Sequence, residues 1–402
     1  MTVHSIKKSN NPKPSSPLAQ NSLHAEATEE LFNSASAYFD TIIKDIAQAK
    51  NRIDLEVYIF GMGMVGQKFR TALCQAAQRG VQVRVLVDGA GTPWWGRSFA
   101  SEMEKSGVQT RVFHPFPWQL WNWSRSKVKA PWLIKFIYLC FTANSRNHRK
   151  VVLIDHSTAY LGSINITLHH LRREEGGQGW RDVAIRLKGT KPVAQLREAF
   201  EIAWSHQTIK ERITHVFTMI KSHPLIRLNH NRHRRRVLYK QLLWQIQDAH
   251  QRIWITNAYF IPDSRFLKYL KHAASRGIDV RMLLPSKSDV SFMPWASAVF
   301  YDSLLKAGVR IFEYLPEVLH AKTLIVDDWM LVGSSNLNQR SLKHDLEADV
   351  NIKMAESKRF LENTFLQDLE QSQELHLSNW TKFRPRLQRL VGRIFLYIKP
   401  IL

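Results

Sequence analysis

Two short stretches of this chain carry a histidine, a lysine and an aspartate at one spacing. HRKVVLID holds His148, Lys150 and Asp155, and HAKTLIVD holds His320, Lys322 and Asp327. Each is followed by Gly-Ser-x-Asn: Gly162, Ser163 and Asn165 in the first case, Gly333, Ser334 and Asn336 in the second. An imidazole can attack phosphorus or carry a proton, and ammonium and amide groups can hold nonbridging phosphate oxygens. Exchange at a phosphodiester needs two proton-carrying groups flanking one anionic phosphorus, and two such sets would supply them. One copy alone, in a chain with 17 His and 57 Lys plus Arg, reads as a basic surface strand. Two copies with matching downstream residues make chance a poor explanation.

The motifs need strands beneath them. Period-2 alternation puts His148, Lys150, Val152 and Ile154 on one face and Asp155 on the other. The same holds for His320 and Lys322 against Asp327. Asp155 and Asp327 belong to the catalytic set as motif members, but the parity gives them an anchoring role, toward the strand end or a neighbouring basic group.

A wider repeat surrounds the motifs. AKNRIDLEVYIF (49–60) lines up with AHQRIWITNAYF (249–260), and AAQRGVQVRVLV (76–87) with AASRGIDVRMLL (273–284). The offset is about 200 residues there and shorter at the motif histidines, so the first half holds an insertion of roughly 27 residues just before His148. Helix and strand alternate. FDTIIKDIAQA (39–49) has helical spacing, RIDLEVYIF reads as a strand, VGQKFRTALCQAAQRG as a helix ending at Gly80, and VQVRVLVD as a strand. The expected fold is α/β: two pseudo-symmetric halves, each a mixed sheet sandwiched by helices, with one active site at their interface.

Composition narrows the partners. A net charge of +23 favours anionic ones, either nucleic acid or a membrane surface rich in acidic lipid. Cys74 and Cys140 give neither a disulfide framework nor a metal pattern; a buried free Cys74 and a reducing, cytoplasmic setting fit them. Residues 1–25 are polar and lack an apolar core, so they read as a disordered tail and not a signal peptide. No stretch reaches the ~18 apolar residues of a membrane span. The run 207–236 reads as a basic connector ending in Arg234, Arg235 and Arg236, a solvated face at a helix start. It separates a first half at 26–206 from a second at 237–374. Residues 375–402 read as a basic amphipathic helix: Leu387, Leu390, Val391, Ile394, Phe395 and Ile398 form one stripe, and Arg386, Arg389 and Arg393 fall mostly off it. That helix is expected to lie with its apolar stripe in a lipid leaflet, the alternative being a helix packed on the protein's own core.

On the two motif blocks, RNHRKVVLID…AYLGSINI…WRDVAIRLKG and LHAKTLIVDD…LVGSSNLNQRSL…LEADVNI, and on ITNAYFIPD (255–263), the chain resembles the bacterial phospholipase D superfamily, and most closely its cardiolipin synthase branch. The likeness covers about residues 30 to 370. One departure is that Gly162 lies seven residues after Asp155 but Gly333 six after Asp327, which reads as a shorter turn.

The resemblance implies phospholipase D-type halves and phosphatidyl transfer: two phosphatidylglycerols to cardiolipin plus glycerol. One histidine attacks phosphorus and the other moves the proton; either could be the nucleophile, and family analogy favours His148. Lys150, Lys322, Asn165 and Asn336 would hold the nonbridging oxygens, with Ser163 and Ser334 supporting them. Two ammonium groups do the work of a divalent cation, so neither metal nor other cofactor is expected. The resemblance also implies a carboxylate some thirty positions after each histidine. Asp182 and Glu347 stand there, with Glu174, Glu175 and Asp349 as neighbouring competitors, and Arg340 matches a family arginine.

The insertion at 116–141, FPWQLWNWSRSKVKAPWLIKFIYLCF, mixes Trp118, Trp121, Trp123 and Trp132 with Arg125, Lys127, Lys129 and Lys135. It suits a bilayer interface best, a core cap next and single-stranded nucleic acid least. The expected partners are therefore anionic phospholipid and a membrane surface, peripherally on the cytoplasmic face of a bacterial inner membrane, and not nucleic acid. A hydrolytic phospholipase D is the alternative activity, and a nucleic-acid phosphodiesterase a more distant one. Oligomeric state is open.

Overall fold

The computed structural model describes residues 27–205, 220 and 223–396. The 1–25 tail, most of the connector before residue 223 and residues 397–402 lie outside that range. Fifteen strands are described: β1 (Thr28–Phe32), β2 (Arg52–Val57), β3 (Gln82–Asp88), β4 (Gln109–Phe113), β5 (Val151–Ile154), β6 (Thr158–Gly162), β7 (Ala184–Lys188), β8 (Ile226–Leu228), β9 (Arg252–Thr256), β10 (Asp279–Pro285), β11 (Arg310–Tyr314), β12 (Thr323–Val326), β13 (Trp329–Gly333), β14 (Ala348–Ile352) and β15 (Ser372–Leu375). They form two sheets, ordered β1-β7-β6-β5-β2-β3-β4 and β15-β11-β10-β9-β12-β13-β14-β8. The orders are the same except that β15 is added beside β11. In each, three strands run parallel (β2, β3, β4; β9, β10, β11) and the motif strand, β5 or β12, joins antiparallel.

Helices cover the outer face of each sheet. Ser34 caps the Ala35–Gln48 helix, which buries Tyr38, Phe39, Ile42 and Ile46. The Met64–Gln78 helix buries Phe69 and Leu73 beside it and stops where Gly80 takes φ 90°. Cys74 is only half-buried there, and Cys140 is exposed. The second sheet is covered by Arg232–Gln247 and Ser264–Ser275.

The inner faces meet in one shared core, where Leu153, Leu161 and Ile185 of the first sheet join Ile325, Val332 and Val350 of the second. Burying each such side chain is worth about 1.5–3 kcal/mol before ordering costs. That shared core fixes the halves against each other and sets the geometry between their motifs.

Two boundaries read from sequence are corrected. The connector does not run to residue 236: Ile226–Leu228 is an edge strand on β14, and Arg232 opens a helix capped by Asn231. Arg235, read as part of a solvated face, donates instead to the carbonyls of Asn229, Lys343 and His344. The 375–402 segment is not one helix. Leu375 ends β15, a short Trp380–Phe383 helix buries Trp380 in the second core, and only Arg386–Leu396 forms a surface helix. Arg384 between them is buried on Glu313 at 2.7 Å.

Candidate active site

Each motif histidine sits just before the N-terminal end of its strand, where the chain crosses to the other half. His148 N–H donates to Leu346 O at 2.9 Å, and His320 N–H to Arg181 O at 2.8 Å. This reciprocal backbone pairing sets up a reciprocal side-chain pairing. His148 Nδ1 lies 3.1 Å from both carboxylate oxygens of Glu347, and His320 Nδ1 lies 2.9 Å from Asp182 Oδ1. Counting thirty positions along the chain would pair each histidine with the acid of its own half; the structure crosses them. Glu174 bonds Arg172, Glu175 bonds Ser36, and Asp349 bonds Ser335, so the neighbouring acids are otherwise engaged.

Both histidines open into one cleft, together with Tyr58, Asn165, Trp180, Tyr259, Asp289, Asn336 and Arg340. Lys150 and Lys322 are buried, and each ammonium donates to the carbonyl of its own motif histidine. Lys150 Nζ also stands 5.5 Å from the Tyr58 ring centre, and Lys322 Nζ 5.8 Å from that of Tyr259. The serines differ. Ser334 Oγ donates to Glu347 Oε2 at 2.5 Å, whereas Ser163 Oγ donates to Val183 O and only clamps a strand. Arg340 pairs with Asp345 at 3.1 Å on the cleft wall.

Asp155 and Asp327, counted with the catalytic set, are not in the cleft. They end β5 and β12 in left-handed backbone, φ 49° and 50°, which Asp tolerates better than most residues. Asp155 accepts backbone N–H bonds from Lys50, Asn51 and Arg52, and Asp327 from His250, Gln251 and Arg252. They tie each motif strand to the start of β2 or β9, at the end opposite the histidines. The hairpin after Asp327 is one residue shorter than that after Asp155, which accounts for the glycine spacing.

Burial dominates the electrostatics. It pushes Lys150 down to about 7 and Lys322 to about 8, with Glu347 and Asp182 respectively opposing the shift. It lowers His320 to about 4 and His148 well below the usual imidazole range, with Lys150 and Lys322 adding to the effect on His148. The two carboxylates diverge. Burial raises Glu347 to about 7. Burial would raise Asp182 too, but His320 and His170 outweigh it and hold Asp182 well below the usual range. An entering phosphodiester monoanion would favour the protonated lysines and imidazoles.

Tyr58, Tyr259, Trp180, Asp289 and His170 escaped the sequence reading. Tyr259 lay inside the ITNAYFIPD stretch noted for its family look, and His170 sits five residues after a motif asparagine. The ligand atoms of His170, Asp182 and His320 lie within 4.8 Å of one another, a spacing compatible with a metal, but hydrogen bonds among the three already account for it.

The duplicated α/β half with a shared two-histidine cleft defines a class. The sequence model "Cardiolipin synthase, PLD-like domain" matches residues 42–204 and 242–369, and the chain belongs to this family. It is 31% identical to the major cardiolipin synthase ClsA of Bacillus subtilis, over 90% of this chain and 73% of that protein. It is 31% identical to cardiolipin synthase B of Salmonella typhimurium, over 80% of this chain and 75% of that one. The fold matches phosphatidylserine synthase of Haemophilus influenzae at 13% identity and TM-score 0.69, covering 96% of this chain and 99% of that one. Polyphosphate kinase from Porphyromonas gingivalis matches at 12% identity and TM-score 0.58, covering 96% and 59%. The chain is a cardiolipin synthase-like transferase of the phospholipase D family.

Proposed function

We propose that this enzyme transfers a phosphatidyl group from one phosphatidylglycerol to another, giving cardiolipin and glycerol, through a phosphohistidine at His148. The observation that carries this reading is the pair of crossed histidine–carboxylate contacts opening into one cleft. With each Nδ1–H donating to a carboxylate, Nε2 is the nitrogen left for chemistry. His148 Nε2 attacks phosphorus, the bond to the headgroup glycerol breaks, and protonated His320 gives its proton to the leaving alkoxide. In the second step His320 takes the proton from a hydroxyl of the next phosphatidylglycerol. That oxygen attacks phosphorus and the phosphorus–nitrogen bond breaks. Lys150, Lys322, Asn165 and Asn336 stabilise the nonbridging oxygens.

The substrate is lipid, and the exposed apolar surface supports work at a bilayer. In the insertion, Trp118, Trp132 and Phe141 are 67, 71 and 86% exposed. Others of its residues, Gln119, Asn122 and Ser126, are buried, so it caps the protein and presents rings outward at once. On the Arg386–Leu396 helix, Leu387, Leu390 and Ile394 face solvent beside Arg386 and Arg393. No helix of the described residues is long and apolar enough to cross a membrane. The reading is peripheral attachment to an anionic leaflet, on the cytoplasmic face of a bacterial inner membrane. The test is purified enzyme with phosphatidylglycerol vesicles and lipid mass spectrometry. Cardiolipin with glycerol supports transfer; phosphatidic acid alone would mean water is the acceptor.

A further inference from the structure

The internal repeat offers a comparison within one molecule. Asp182 and Glu347 occupy the same station, each two residues before the partner of the motif glycine: Gly162 pairs with Ala184, Gly333 with Asp349. Five residues after each motif asparagine stand His170 and Ser341. In the second half the longer carboxylate, Glu347, takes hydrogen bonds from the Ser334 and Ser341 hydroxyls. In the first half the shorter carboxylate, Asp182, is met by the longer side chain: His170 Nδ1 lies 2.6 Å from Asp182 Oδ2. The exchange of Ser plus Glu for His plus Asp keeps the contact while changing its chemistry.

The tautomer of His170 is fixed by its other nitrogen. The Asn165 backbone N–H donates to His170 Nε2 at 3.1 Å, so Nε2 is the acceptor and Nδ1 carries the proton toward Asp182. Asp182 therefore receives an imidazole N–H on each oxygen, from His170 on one and His320 on the other. The His170 side chain is fully buried, with Trp180 edge-on at 5.2 Å, and it does not line the cleft. The linked chain runs from Asn165 of the first half through His170 and Asp182 to His320 of the second.

Resting on the two-histidine reading above, we infer that His170 is a positioning residue that makes the histidines inequivalent. It holds Asp182 as an ionised, doubly occupied acceptor and keeps His320 in the Nδ1–H form, suited to proton transfer, leaving His148 as the nucleophile. A carboxylate with both oxygens occupied by N–H donors can neither rotate freely nor take a proton without losing a bond. Glu347 also has both oxygens within reach of donors, but its second partner is a hydroxyl, which can turn from donor to acceptor, whereas the Nδ1–H of His170 can only donate.

The test compares H170F, which keeps a ring without hydrogen bonds, with H170N, which keeps an N–H donor toward Asp182. Turnover is followed on phosphatidylglycerol vesicles and, in parallel, on the soluble diester bis(p-nitrophenyl) phosphate. Wild-type activity on the soluble diester alone would defeat the lipid reading and leave the His170 test intact. The groups facing the Asp182–His320 pair are Lys322, Lys150, His148, Asp289 and Tyr259, with His169 beside His170. With these unchanged, loss of one donor makes Asp182 more basic. H170F is expected to lower kcat at least tenfold with KM within twofold, and to move the acid limb of kcat to higher pH. H170N is expected to recover most of the lost rate. Wild-type kcat and pH limb in folded H170F, or equal losses in both variants, would overturn the proposal. Should H170F not fold, the swap decides. H170S/D182E installs the second half's Ser and Glu in the first, and it should turn over at least fivefold slower than wild type with a displaced acid limb; wild-type kcat and acid limb in the folded double variant overturns the proposal.

Discussion

Glu347 and His148 are separated by 199 residues in the chain, yet both carboxylate oxygens of Glu347 stand 3.1 Å from His148 Nδ1. The mirror-image contact joins Asp182 to His320 across 138 residues. Neither half therefore pairs its motif histidine with a carboxylate of its own, and the shared core beneath them holds the two crossed contacts in place.

Glu347→Gln keeps the shape of the side chain and removes its charge. An imidazolium then loses its counterion, and a carboxamide can present its N–H side to His148 and turn the ring to the wrong tautomer. A loss of about 10²–10⁴ in kcat is expected, on the scale of other oriented-histidine systems. Steady-state kinetics on vesicles, with circular dichroism to verify folding, measures it. A loss under threefold would mean the contact does not orient His148.

Lys150 exposes the stability cost of the site. Burial lowers its folded pKa to about 7, against an unfolded value of about 10.4. Between these values the unfolded chain binds more protons, so this group's contribution to stability rises with pH through that window. Below pH 7 the buried charge costs its full amount. Lys150→Met is thus expected to raise Tm at pH 6, with a gain that shrinks by pH 10, while turnover is lost. In the wild type, loss of the ammonium should raise KM as pH climbs past about 7–8. Melting curves at pH 6 and pH 10 check the sign; a lower Tm for the variant at pH 6 would contradict it.

In the proposed mechanism the two lysines would supply the cationic charge that a divalent ion supplies elsewhere. Activity is expected to survive EDTA within twofold, with a control for vesicle aggregation by divalent ions. Loss of turnover restored by one specific divalent ion, at constant vesicle size, would remove this mechanism.

The C-terminal helix can now be cut where the fold permits. Ending the chain after Ser378 would strip Trp380 and Arg384 from the second core and unfold it. Ending after Pro385 removes only the surface helix. That helix docks through Gly392, where a Cβ would fall 2.2 Å from Trp295 O, and through Phe395 stacked on Phe292 at 3.9 Å. The stripe read as one membrane face is split: Phe395 serves the protein, while Leu387, Leu390 and Ile394 are free to meet lipid. Each basic residue near an anionic surface is worth about 1 kcal/mol. The truncation is expected to weaken binding to anionic vesicles at least fivefold at physiological salt without changing Tm by more than a few degrees. Equal vesicle binding by both forms would eliminate the anchor.

What was legible in the sequence was periodic or duplicated. Strand parity placed His148 and Lys150 opposite Asp155, and the repeat gave two halves of matching sheet order. What was not legible depends on how the halves face each other. The crossing of Asp182 and Glu347 between histidines arises from bridges at Asn147–Leu346 and Arg181–Leu319, which no spacing encodes. Tyr58 and Tyr259 fall one position apart in the aligned repeat but hold equivalent places beside the lysines, because loops absorb the shift. The strand Ile226–Leu228 hid in a basic run because three residues are too few to show a period.

The central claim is that both motif histidines serve one phosphatidyl-transfer site. Lipid mass spectrometry of phosphatidylglycerol vesicles incubated with wild type, His148→Ala and His320→Ala tests it most directly. The account predicts cardiolipin and glycerol from wild type and a loss of at least about 10³-fold from each folded variant. Near-normal cardiolipin from either folded variant would contradict it.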